Sequence, residues 1–126
     1  VNVKVCMVSI KVTDMKEAKS FYCEKLNFKL EKEYGENIIE LNVDGFPIIL
    51  EKASKPNTLE YGEHSQVVLG LQTDDIKKDM NHLKQNGVHV LYEEPQTCPP
   101  GHYTVIVDPF DNKIELLEVS KSMANM

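Results

Sequence analysis

Two stretches of this chain start in the same way, and that repeat limits what it can fold into more than any other feature. "SIKVTDMKEAKSFYCEKLNFKL", from Ser9, and "VVLGLQTDDIKKDMNHLKQNGVHVL", from Val67, each run from an apolar strand through Thr-Asp into a helix. In the first, Met15, Ala18, Phe21, Tyr22 and Leu26 recur at helical spacing, with Asp14 as N-cap and Glu17 three residues later as in a capping box. In the second, Asp74 or Asp75 caps a thinner stripe of Ile76, Met80 and Leu83, and Asn86-Gly87 supplies a left-handed stop. Strands follow each helix. They read as "FKLEKEY", "NIIELNV" and "FPIILEK" in the first half, the last two joined by an Asp44-Gly45 hairpin turn. In the second half they read as "HVLYEE", "YTVIVD" and "KIELLEV".

The expected architecture is therefore α+β: two tandem βαβββ modules in one domain over residues 1–119. Module one spans about 1–58 and module two about 62–119, joined by "KASKPNTLEYGEH", with 120–126 as a frayed tail. With 126 residues, 41% of them hydrophobic, the chain can build one core and not two independent ones. No run approaches the roughly 18 to 20 apolar residues of a membrane-spanning helix, and the lysines of "VNVKVCMVSIKV" interrupt any signal-peptide apolar region. A net charge of −6 disfavours nucleic acid as a partner. Cys6, Cys23 and Cys98 are odd in number and widely spaced, which argues against a disulfide framework and for a cytoplasmic setting.

The run V-T-D-M-x-x-A-x-x-F-Y-x-x-x-L-x-F from Val12 to Phe28 and D-P-x-D-N-x-I-E-L from Asp108 to Leu116, on paired βαβββ modules, resemble the vicinal oxygen chelate superfamily. That group includes glyoxalase I, extradiol dioxygenases, fosfomycin-resistance enzymes and bleomycin-resistance proteins. The resemblance covers residues 4 to 119. It implies a cup-shaped mixed sheet with helices outside, and a homodimer in which a partner chain completes the cup. Neither motif fixes a function.

Strand alternation then sorts side chains by face. The apolar sets are Cys6, Val8, Ile10 and Val12; Ile48 and Leu50; Val67, Leu69 and Leu71; and Ile114 and Leu116. Met7, Ser9, Lys11, Ile49, Glu51, Gln66, Val68, Gly70, Gln72, Glu115 and Leu117 are left for the cup. In metal-dependent members one divalent ion takes a ligand from each of four strands. Counting five back from Val12 and from Leu71 places two of these slots at Met7 and Gln66, with Ile49 and Glu115 as the others. A thioether and an alkyl chain make a poor hard-metal site. No cofactor is expected, the alternative being a divalent ion on Gln66, Glu115 and Glu51.

Each candidate has two readings. Glu115 contacts a ligand, as a general base if desolvated, or is a solvated carboxylate. Gln66 orients a ligand or bonds to Glu115. Lys11 stands where glyoxalase I carries a carboxylate-holding arginine, or pairs with Glu51 or Glu115. Met7 is apolar filler. In the rigid "TCPPGHYT" loop, His102 and Tyr103 stack on a ligand or pack locally, with His64, Phe46 and Tyr61 as further rim residues. The expected function is metal-independent binding of a small molecule by Met7, Lys11, Ile49, Glu51, Gln66, His102, Tyr103 and Glu115. The alternative is a metal-dependent glyoxalase-like lyase or isomerase.

Overall fold

The structure, a computed structural model, describes residue 2, residues 4–62 and residues 67–120. They divide into two compact units, one ending at Asn57 and one beginning at Thr58. Of the expected tail at 120–126, residues 121–126 lie outside the described residues.

In the first unit, strand β1 (Val8–Val12) leads to Asp14, whose extended backbone (φ −141°) lets its carboxylate accept from the Glu17 N–H at 3.0 Å. Helix α1 (Met15–Lys19) then widens into a π-helical turn over Ser20–Lys25. It closes where Asn27 takes φ +60° and the Phe28 N–H returns to the Tyr22 carbonyl. Ala18, Phe21, Tyr22 and Phe28 are buried, and the Phe21 and Tyr22 rings meet edge to face at 4.8 Å. The strands β2 (Lys29–Glu33), β3 (Ile38–Val43) and β4 (Phe46–Lys52) complete a sheet ordered β1-β4-β3-β2, with β1 and β4 parallel. Asp44 and Gly45 both have positive φ, the I′ geometry that matches strand twist. Ile10, Val12, Ile39, Leu41, Ile48 and Leu50 form the buried face, each contributing about 1.5–3 kcal/mol. Ser9, Lys11, Ile49 and Glu51 take the other face.

The second unit repeats the wiring. Strand β5 (Leu69–Gln72) runs parallel to β9 (Lys113–Val119), which pairs with β8 (Gly101–Val107), which pairs with β6 (His89–Val90). Between β5 and β6 lies helix α2 (Ile76–Gln85), capped by Asp75 and ended at Gly87 with φ +79°. Its first N–H, on Ile76, also meets the Glu118 carboxylate at 3.0 Å, an anion placed where the helix dipole favours one.

One expected element is different. "HVLYEE" is not a single strand: β6 ends at Val90 with one further backbone bond, from the Leu91 N–H to the Val105 carbonyl at 2.7 Å, and strand pairing with β8 resumes at a short strand β7 (Gln96–Cys98). Pro95 has no N–H to offer a ladder. The Thr104 hydroxyl instead donates to the Tyr92 carbonyl at 2.9 Å, so a side chain replaces a backbone bond. This excursion carries Tyr92 off the strand path.

The Asp108-Pro-Phe-Asp-Asn run is a structural turn. The buried Asp108 carboxylate accepts from the N–H groups of Phe110 (2.9 Å) and Asn112 (2.7 Å) and from the Asn112 amide (2.8 Å). Phe110 is buried beneath it.

Candidate functional site

Along β9, Ile114 and Leu116 are buried while Glu115 and Leu117 take the opposite face, half-buried. Register fixes the neighbours of Glu115: Gly70 on β5 and Val105 on β8 lie directly opposite it. Tyr103, two residues before Val105, shares that face and pairs with Leu117.

A residue distant in sequence completes the arrangement. The Tyr61 hydroxyl donates to Glu115 Oε1 at 2.7 Å. Its ring meets Tyr92 edge to face at 6.3 Å, and Tyr92 meets Tyr103 likewise at 6.0 Å. The segment that carries Tyr61 is tied down nearby, because Lys113 Nζ donates to the Leu59 carbonyl at 3.0 Å. Lys113 also pairs with the Asp111 carboxylate at 3.0 Å, which takes up its charge. Burial, then the hydrogen bond to Glu115 and its negative charge, holds the Tyr61 phenol well above the usual range. At neutral pH Tyr61 is a proton donor and not a phenolate.

The other candidates fall elsewhere. Lys11 and Glu51 are cross-strand partners in the first unit and form an ion pair at 2.9 Å, one of the two readings open for Lys11. Ile49 lies on their face, and Met7 precedes β1 with 44% of its surface exposed. His102 is exposed and pairs with Glu118, so it stands on the face opposite Tyr103 and Glu115; the two loop neighbours do not line one surface. Gln66 and His64 lie outside the described residues. Tyr92 was not among the sequence candidates, although Pro95 was a signal that its strand would break.

The helix caps give a second count of the slots. Asp14 and Asp75 are the matching N-caps, and Ser9 pairs with Ile49 as Gly70 pairs with Glu115. Met7 therefore matches Val68, two residues beyond Gln66. In the first unit the two slots are Met7 and Ile49; in the second they are Val68 and Glu115. Met7 and Ile49 offer a thioether and an alkyl chain, Val68 and Glu115 an alkyl chain and one carboxylate, and neither pair by itself fits a divalent ion. Among the described residues no three His, Cys, Asp or Glu side chains are grouped to hold one.

The sequence model of the Glyoxalase/Bleomycin resistance protein/Dioxygenase superfamily matches residues 4–116. Among solved structures, the antibiotic binding protein TnmS3 from Streptomyces sp. CB03234 is 25% identical, with a TM-score of 0.68 over 94% of this chain and 98% of that one. The fosfomycin resistance protein FosX from Listeria monocytogenes is 14% identical, with a TM-score of 0.78 over 98% of both chains. Lactoylglutathione lyase from Agrobacterium tumefaciens is 15% identical, with a TM-score of 0.71 over 94% of this chain and 95% of that one. The last two likenesses are of fold. No curated protein matches by sequence.

Proposed function

We propose that this chain, which belongs to the Glyoxalase/Bleomycin resistance protein/Dioxygenase superfamily, is a small-molecule binding protein that works without a metal. The observation that carries the reading is the Tyr61–Glu115 hydrogen bond inside a tyrosine cluster. Flat amphipathic rings around one oriented carboxylate give a ligand apolar contact and one directional polar anchor. The slots that would have to coordinate an ion carry Met7, Ile49 and Val68, which supply no oxygen or nitrogen donor. TnmS3, an antibiotic binding protein similar over nearly the whole chain, supports binding over turnover.

The described residues contain no helix long and apolar enough to cross a membrane. We place the protein in the cytoplasm, supported by Cys6, Cys23 and Cys98 all being free thiols. We also propose a homodimer. Val5, Met7 and Val67 are exposed beside the edge strands β1 and β5, where a second copy would cover them.

Calorimetric titration of demetallated protein with Ni²⁺, Zn²⁺, Co²⁺ and Mn²⁺, repeated on Glu115→Gln, tests the metal claim. The expected result is no specific heat of binding in either protein. Tight stoichiometric binding lost in the variant would replace this reading with a glyoxalase-like lyase or isomerase.

A further inference from the structure

The face around Glu115 is lopsided. On its β8 side stand Val105 and Tyr103, the latter against Tyr92; on its β5 side the residue directly opposite is Gly70. A Cβ built at Gly70 meets no atom of the described residues within 4 Å, and its φ is not in the left-handed region, so backbone geometry does not require glycine there. Strands lie about 4.8 Å apart, so the missing side chain leaves a slot one strand wide directly beside the carboxylate. Tyr61 takes Oε1 of that carboxylate, and among the described residues no partner takes Oε2. The one cation on the same face of β9, Lys113, is turned to Asp111 and the Leu59 carbonyl.

We infer that the slot over Gly70 takes a small organic cation bearing an aromatic ring, its charge against Glu115 and its ring over Gly70 toward Tyr61. The phenol hydrogen-bonded to the carboxylate brings no positive charge against it, and the electron-rich faces of tyrosines add attraction for a cation, whereas an anion meets repulsion. The absent side chain makes the room. Gly70 is thus the residue that decides whether the site is open, and Glu115 the one that decides which sign of charge enters. The inference rests on the small-molecule reading above and adds the ligand class.

Benzyltrimethylammonium, benzyl alcohol and benzoate, titrated into the full chain and followed by backbone amide NMR shifts, test it. The ammonium is expected to shift Gly70, Glu115 and Tyr103 and to bind about tenfold more tightly than the alcohol, with benzoate weaker still. Glu115→Gln should erase the preference between ammonium and alcohol. Gly70→Val, which suits a strand and meets open space, should abolish binding of both. Equal affinity for ammonium and alcohol in the unaltered protein, both lost in Gly70→Val, would overturn the cationic class while leaving small-molecule binding standing. Benzoate binding most tightly would do the same. No probe shifting those amides would overturn the class and the small-molecule reading together. The comparison among probes needs no variant, so a variant that failed to fold would not spare the inference.

Discussion

The two units share one wiring diagram and have opposite surface chemistry. Register matches Ser9, Lys11, Ile49 and Glu51 in the first with Gly70, Gln72, Glu115 and Leu117 in the second. In the first, the carboxylate sits opposite a lysine and is neutralised in place at 2.9 Å. In the second, the carboxylate has moved two residues along its strand, faces a glycine, and accepts a hydrogen bond from a phenol. The backbone supports either arrangement, since alternation fixes only which positions leave the core. Function on such a scaffold is a matter of which four side chains occupy one face.

The hairpin turns next to these faces differ in depth, and that gives the largest expected effect. Asp108→Ala removes three hydrogen bonds from a buried turn and should cost about 2–4 kcal/mol in urea unfolding. Asn42→Ala, which removes the single 2.8 Å bond to the Gly45 N–H in the exposed turn of the first unit, should cost about 1 kcal/mol or less. Equal losses would mean that the two turns are not as different as their burial implies.

Next comes the phenol. Tyr61→Phe should cost about 1 kcal/mol at neutral pH, the net worth of a half-exposed hydrogen bond. Because folding raises the Tyr61 value above the usual phenol range, its contribution is fully present below about pH 10 and is lost as pH rises beyond it. In absorbance titration Tyr61 should ionise late, and the Phe variant should lack that step. An unchanged titration would break the contrast between the units, because Glu115 would then be no better partnered than a surface carboxylate.

The smallest effect belongs to the first unit. A double-mutant cycle of Lys11→Met and Glu51→Gln should return a coupling of about 0.2–1 kcal/mol that shrinks with salt, since both side chains are about half exposed. A coupling above about 2 kcal/mol, insensitive to salt, would mean that this pair is shielded from water and that the first unit holds a site of its own.

The repeat, both helix starts, the Asp44-Gly45 turn and the faces of β1, β4 and β9 were readable from residue spacing, whereas Val67 and Cys6, expected in the apolar sets, are exposed. All of these are local, set by periods of 2 and 3.6 and by a few residues with special backbone preferences. Less local features were misread. The split between β6 and β7 depends on the Thr104 hydroxyl taking over a backbone bond at Tyr92, twelve residues away. The slot counted from Leu71 and the one counted from the Asp75 cap differ by two residues, because the apolar stripe does not mark where the helix starts. His102 and Tyr103 were grouped as loop neighbours, and the extension of β8 back to Gly101 put them on opposite faces.

By itself the sequence determined that Glu115 leaves the core, because a carboxylate between Ile114 and Leu116 on a strand can only point the other way. What it meets there was decided by the tertiary structure alone. Tyr61 comes from a linker 54 residues earlier, Tyr92 from a broken strand and Gly70 from a parallel neighbour. Periodicity carries information along one element. Which elements become neighbours depends on loop paths and sheet register, and these emerge only when the whole chain closes on its core.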